Sequence, residues 1–282
     1  MKLLEALKYI LLGLVQGVTE VLPISSSGHV ELVETLIRLE ADEGLLFLIL
    51  VNTGSLLVFI VIYWRKLWGL IRDFFRFVFV SSSRKETSKG FYNAIKLIIA
   101  TIPAALVGVF FKEHLDNMLK TYGLLVSGTG LLFTGSVLLL ISQKRIFNGE
   151  ATVSFVDSLL MGIGQAVALF PGVSRSGMTT STGIARGIGV ATALDFSFLM
   201  YIPVSIGVLM LSVIEGVQSG FELPGNEYIG YYFLAFLGAV IATYFAFRIV
   251  FNVFKTGKLK YFGIYCLIVG LISLGLFIFN HS

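Results

Sequence analysis

Six stretches of this chain, 45–63, 94–111, 121–141, 197–214, 231–250 and 261–279, each have the length and polarity of a bilayer-crossing helix. That constrains the fold more than any other feature. In hydrocarbon every backbone N–H and C=O must find its partner inside the protein, so apolar runs of this length become helices. An all-α polytopic membrane protein is the expectation. Composition agrees: 56% of residues are hydrophobic and 13% charged, where a soluble domain carries about 25% charged residues. The mean hydropathy is +0.89. The net charge of +4 and pI near 9.1 do not imply nucleic acid, because Lys and Arg in such a chain mark cytoplasmic loops. Cys266 is the sole cysteine and lies in an apolar span, which excludes an intramolecular disulfide and argues against a thiolate metal site. No cleavable signal peptide is expected: residues 1–22 lack a clear small-residue cleavage site. Residues 81–89 read as a solvated loop.

Loop charge orients the spans. The stretch 64–96 carries Arg65, Lys66, Arg72, Arg76, Arg84, Lys85, Lys89 and Lys96 and reads as cytoplasmic. Lys144 with Arg145, and Lys255, Lys258 and Lys260, read the same way. The loop 215–230 holds Glu215, Glu222 and Glu227 without Lys or Arg and reads as external. Six spans satisfy these constraints, with the C-terminus outside. Residues 1–40 and 152–190 remain, both apolar and interrupted by Pro, Gly and Ser. A further span at either place would break the alternation, so each is read as a re-entrant helical hairpin, tolerated at depth where protein or a polar cavity covers it.

The two hairpins resemble each other. Gly13-Leu14-Val15-Gln16 matches Gly162-Ile163-Gly164-Gln165, and Ser25-Ser26-Ser27-Gly28 matches Ser174-Arg175-Ser176-Gly177 at the same offset. Each is followed by three spans. The reading is a single membrane domain, 1–282, made of repeat one (1–141) and repeat two (152–282) in opposite orientations. In such an inverted-topology repeat a site is expected where the hairpins meet.

Polar residues at membrane depth are costly and point to function. Gly13, Gln16, Gly17 and Glu20 share one helical face, so Gln16 and Glu20 project together before Pro23. The bland alternative is a Gln/Glu pair at a helix contact. Ser25, Ser26, Ser27 and Gly28 place hydroxyls and N–H groups at a helix start, which suits an anion, although a Ser run alone serves as an N-cap. Ser and His29 a few residues apart offer a nucleophile and an acid or base. Arg175, flanked by Ser174 and Ser176, grips phosphate oxygens bidentately; otherwise it snorkels to an interface. Thr179 and Thr180 bond a ligand or their own helix carbonyls. Asn52, Thr53 and Ser55 read as interhelical glue, Asp195 as a loop or capping residue, and Pro103 and Pro203 as kinks.

The run Gln16-Gly17-Val18-Thr19-Glu20-Val21-Leu22-Pro23-Ile24-Ser25-Ser26-Ser27-Gly28-His29, together with Pro171-Gly172-Val173-Ser174-Arg175-Ser176-Gly177, closely resembles the two signature motifs of the bacterial undecaprenyl-diphosphatase (bacitracin-resistance protein) family. The resemblance covers nearly the whole chain. It implies hydrolysis of undecaprenyl diphosphate to undecaprenyl phosphate, which regenerates the lipid carrier for cell-wall synthesis. It implies a multi-pass protein of the bacterial plasma membrane with its site facing the periplasm or exterior. It implies dependence on a divalent cation, Mg²⁺ or Ca²⁺, here assigned to Glu20 and Gln16. By motif position Glu20, Ser26, His29 and Arg175 are the catalytic candidates; Ser25, Ser27, Ser174, Ser176 and Thr179 are the phosphate contacts. Two positions depart from the pattern: Gln16 stands where many members have Glu, and Ser27 where Thr is common.

The expected substrate is a polyprenyl diphosphate, with membrane lipids as surroundings and no nucleic acid; a homo-oligomer is among the arrangements the sequence allows. Two chemical routes stay open: attack by Ser26 with His29 as base, or direct attack by water with His29 as acid or base. The rival from another class is a transporter that flips polyprenyl phosphate, since inverted repeats with broken helices are a transporter architecture.

Overall fold

A computed structural model describes residues 2–37, 45–143, 152–220, 225–255 and 258–281. Lys144, Arg145 and Glu222, used above for loop charge, lie outside the described residues, as do the side chains of Glu227 and Lys255. The described residues form nine α-helices and one 3-10 turn, with no strand among them. The helices are α1 (Leu3–Val21), α2 (Ser26–Ile37), α3 (Leu45–Phe79), α4 (Arg84–Ser142), α5 (Phe155–Val167), α6 (Arg175–Ala185), α7 (Val190–Ser219), α8 (Asn226–Lys255) and α9 (Leu259–His281). Among the described residues six segments are long and apolar enough to cross a membrane: Leu46–Phe79, Ser81–Phe111, Glu113–Ser142, Val190–Gln218, Tyr228–Val250 and Leu259–Asn280. Five of the six expected spans fall inside them, and 45–63 does so but for its first residue. The protein is an all-α, multi-pass membrane protein.

α4 supplies two of the spans; its backbone is non-helical at Gly123, at φ 1° and ψ −88°, where a Cβ would strike the Glu31 carboxylate. Pro103 and Pro203 sit inside α4 and α7.

The stretch 81–89 is not a solvated loop. α3 runs on to Phe79, Ser81–Ser83 makes a 3-10 turn, and α4 starts at Arg84. Ser83 and Thr87 are buried; the Ser83 hydroxyl donates to the carbonyls of Arg76 and Val80, 3.1 and 2.9 Å away. Polar residues here close a tight helix–helix corner, a role that composition does not distinguish from a loop. Asp195 is likewise no loop residue. It lies in α7, accepts from the Tyr63 hydroxyl at 3.1 Å and pairs with Lys66, tying α3 to α7.

Packing follows the small residues. In a bilayer, helices associate by close van der Waals contact rather than by escaping water, so Gly and Ala mark the interfaces. α1 lies along α8 so closely that a Cβ on Gly13 would strike the Ala235 carbonyl oxygen. α5 lies along α4 in the same manner, with Gly162 on the Ala100 carbonyl. Gly13 and Gly162 are the positions matched in sequence. The second half of α4 meets α9 through Gly128 against Gly270 and Gly135 against Gly263. Thus each hairpin packs on a span from the other half of the chain, and the two helical breaks are brought tip to tip.

Candidate active site

The first break follows α1. Leu22, Pro23 and Ile24 leave the helix, and Ser25 turns the chain at φ 70°, a left-handed conformation that few non-glycine residues adopt. Its hydroxyl accepts from the Gly28 N–H at 3.3 Å and so caps α2. The second break follows α5. Gly172 takes φ 82°, and the Ser174 hydroxyl accepts from the Gly177 N–H at 3.1 Å, capping α6. These two serines are the matched residues of the sequence repeat, and they do the same job.

The next matched pair laces the tips together. Ser27 Oγ accepts from the Gly172 N–H at 3.2 Å, while Ser176 Oγ donates to the Leu22 carbonyl at 3.0 Å. Each hairpin therefore satisfies a backbone group in the other's turn, as buried non-helical backbone requires. Ser25 Oγ lies 3.3 Å from Ser27 Oγ, and Ser174 Oγ lies 3.5 Å from Ser176 Oγ. Thr134, on α4, holds the second turn by accepting from the Ser174 N–H at 3.0 Å.

Glu20 stands where the tips meet. Its Oε2 accepts from Ser26 Oγ at 2.7 Å and from Gln16 Nε2 at 2.9 Å; its Oε1 is ion-paired with Arg175 from the opposite hairpin. Arg175 also donates to Ser205 Oγ at 3.2 Å, and its guanidinium lies 3.8 Å over the Tyr201 ring, a cation–π arrangement. The Glu20 side chain is 5% exposed and that of Arg175 23%, so the guanidinium forms the more open side of the pair. Removing one partner of such a pair costs about 3–5 kcal/mol, because the other is left as an uncompensated charge.

His29 is engaged elsewhere. Its Nδ1 is 2.7 Å from the Ser25 carbonyl, so Nδ1 carries the proton. Nε2 then accepts from the Tyr265 hydroxyl at 2.9 Å. The two rings stack, 5.5 Å apart and 8° from parallel. The structure thus joins Ser26 to Glu20 and places His29 as a brace on the Ser25 turn. Thr179 is fully buried; its hydroxyl donates to the Arg175 carbonyl at 2.8 Å and lies 2.5 Å from Ser197 Oγ.

Among the described residues no group of three His, Cys, Asp or Glu side chains converges. The available oxygens are of another kind. Gln16 Nε2 donates at 2.9 Å to both Glu20 Oε2 and Asn52 Oδ1. Turned over, that amide would present its oxygen to two others, an arrangement that only a cation would favour. One carboxylate and two amide oxygens fit a hard cation that draws its remaining ligands from phosphate and water.

Sequence reasoning did not single out Tyr201, Ser205, Ser197, Thr134 or Tyr265, and gave Asn52 only a packing role. The available signal was slight: Tyr201 and Ser205 are a polar i, i+4 pair in an apolar span.

The fold and site define a multi-pass helical membrane protein with a buried carboxylate–guanidinium pair enclosed between two interlocked helical hairpins. Residues 9–272 match the family model of bacitracin resistance protein BacA, and the chain belongs to that family. It is 41% identical over 270 residues to undecaprenyl-diphosphatase 2 of Bacillus thuringiensis strain Al Hakam, covering 95% of this chain and 96% of the relative. It is 40% identical over 271 residues to undecaprenyl-diphosphatase 1 of Bacillus licheniformis, covering 96% and 98%. With the undecaprenyl-diphosphatase of Oceanobacillus iheyensis it shares 40% identity over 267 residues, 94% of each chain.

Proposed function

We propose that the protein hydrolyses undecaprenyl diphosphate to undecaprenyl phosphate and inorganic phosphate, returning the lipid carrier to cell-wall synthesis. One observation carries this reading: Glu20, bonded to Ser26 of its own hairpin and to Arg175 of the other. A hydroxyl 2.7 Å from a carboxylate is a nucleophile beside its base. A guanidinium facing the more open side is a phosphate clamp. The names of the relatives support the substrate.

In the proposed reaction the diphosphate replaces Glu20 as the partner of Arg175, near the starts of α2 and α6, where helix dipoles and unpaired N–H groups favour an anion. Glu20, released from Arg175, takes the proton of Ser26 Oγ. Oγ attacks the terminal phosphorus, the bond to the bridging oxygen breaks, and undecaprenyl phosphate leaves. Water then attacks the phosphoserine, the P–Oγ bond breaks, and Glu20 returns the proton. Charge stabilisation and positioning supply most of the rate, as in other phosphoryl transfers. A divalent cation, Mg²⁺ or Ca²⁺, belongs to the proposal, with Glu20, Gln16 and Asn52 as its protein oxygens; when bound it neutralises phosphate charge. His29 and Tyr265 hold the Ser25 turn, and with it the position of Ser26.

The proposal places the protein in the bacterial plasma membrane with the site facing outward, as the two halves of an inverted repeat. Loop charge and the reciprocal seating of Gly13 on Ala235 and Gly162 on Ala100 support this. In a Cys266→Ala background, Gln218→Cys should react with an impermeant thiol reagent on intact cells, and Ser82→Cys should not. The reverse pattern would overturn the orientation.

Purified protein in detergent should release phosphate from undecaprenyl diphosphate. Failure to do so, with movement of intact polyprenyl phosphate across a sealed bilayer instead, would make it a transporter.

A further inference from the structure

Beside the second hairpin's turn lies an apolar cavity of about 570 Å³, within the range of small-molecule sites. Val107 and Phe111 of α4's first half, Phe133 of its second half, and Leu169, Phe170 and Val173 of the turn are among the residues that line it. Its floor is rigid: Gly130 is seated so closely on the turn that a Cβ there would strike the Pro171 carbonyl. Its mouth is open to lipid, since Phe111 and Phe133 are 55 and 44% exposed. No charged side chain among the described residues lines it.

We infer that this cavity holds the first isoprene units of the prenyl diphosphate, with the rest of the tail lying in the bilayer; the inference rests on the function proposed above. Continuity argues for that occupant. Phe170 and Val173 line the cavity, Gly172 between them donates to Ser27, and Arg175 follows two residues later. One short turn therefore presents apolar side chains on one side and a phosphate grip on the other. That is the polarity of a prenyl diphosphate across its C–O bond. A two-chain phospholipid would fill the cavity equally well with hydrocarbon, but brings a single phosphate and no free diphosphate end for Arg175.

Gly108 allows a test without disturbing the site. A Cβ added there meets only Leu169 Cδ1, at 3.9 Å, and Leu169 lines the cavity, so Gly108→Leu adds bulk against the cavity wall. Gly275, on α9, has nothing within 4 Å, and Gly275→Leu serves as the control. The turnover of both variants should be compared on undecaprenyl diphosphate and on methyl diphosphate, which carries no isoprene unit to enter the cavity. Gly108→Leu should lower kcat/KM for the long substrate about tenfold, the size of effect that a filled apolar pocket exerts. It should leave the short one nearly unchanged, and Gly275→Leu should change neither. Equal loss on both substrates, or loss on neither, would overturn the inference. A diazirine-bearing prenyl diphosphate should label Leu169 or Phe133 in the unmodified protein, with undecaprenyl diphosphate suppressing the label. Suppression by phosphatidylglycerol to the same extent would mark a general lipid site and also overturn it. No phosphate release from either substrate by the unmodified protein would instead refute the proposed function.

Discussion

The two hairpins start alike and end differently. Gln16 and Gln165 occupy the same place in the repeat, four residues before Glu20 and Leu169 respectively. α1 continues for five residues past Gln16, to Val21, so Glu20 lies on the helix and returns to the Gln16 amide. α5 stops two residues past Gln165, at Val167, and Leu169 falls in the turn, where it lines the apolar cavity. Gln165 is left 1% exposed, with neither end of its amide partnered among the described residues. Beyond the turns the asymmetry reverses: Ser26 is matched by Arg175. The shared residues, Ser25 with Ser174 and Ser27 with Ser176, cap and lace the tips, whereas the proposed chemistry is concentrated where the halves diverge. In the proposed repeat the matched residues form a self-complementary scaffold, and divergence at two positions makes one proposed site from two similar hairpins.

Five substitutions would break or sharpen that comparison. The largest effect belongs to the diverged pair. Arg175→Lys keeps the charge but loses the fork and the stack on Tyr201, and should lower kcat about 10²-fold or more, as loss of a preorganised donor does. Near-normal phosphate release would show that a point charge suffices there. Next come the shared glycines. Gly13→Val and Gly162→Val each drive a side chain into a backbone carbonyl and should destabilise by about 1–3 kcal/mol or more, read as a lowered unfolding temperature in detergent. If only one of the two matters, the reciprocal packing is not equivalent.

A smaller shift is expected at Gln16. Gln16→Glu adds a carboxylate facing Glu20 and Asn52, which strengthens attraction to a hard cation while adding repulsion between carboxylates in its absence. Half-saturation should occur at lower Mg²⁺ or Ca²⁺, with sharper loss under chelation. Unchanged cation dependence in a folded, active variant would remove Gln16 from the cation site. The smallest effect is at Gln165. Gln165→Met replaces an unpartnered buried amide by an apolar chain of similar shape, so stability should be retained or rise, by up to about 1–3 kcal/mol, with activity unaltered. A clear loss of stability would mean that the amide has a partner after all, and that the two glutamines are closer in role than their surroundings suggest.

The spans were legible because membrane insertion depends on composition over some twenty residues, which a sequence displays directly. Both helical breaks were legible from Pro, Gly and Ser in otherwise apolar runs. Ser81–Lys89 was misread because the helices continue beyond the apolar stretch, where polar residues mark a water-facing helix as readily as a loop. At the site, the residues that differ from their apolar surroundings stood out, namely Glu20, Arg175 and Ser26. Their partners did not. Tyr265 is 236 positions from His29, and Ser205 is 30 from Arg175; neither pairing has a local pattern. Ser26 was grouped with His29, three residues on, because proximity in sequence suggested it. The left-handed Ser25 sends the imidazole to Tyr265 and leaves the hydroxyl to Glu20.

The central claim is that the two hairpins build a single site, joined by Glu20 and Arg175. A double-mutant cycle on phosphate release from undecaprenyl diphosphate tests it most directly, using Glu20→Gln, Arg175→Lys and the double variant. Residues that act as one unit are strongly non-additive, so the double variant should be no slower than about the slower of the two singles. Losses that multiply, the double variant slowed by the product of the separate effects, would mean that Glu20 and Arg175 act independently, and would contradict the claim.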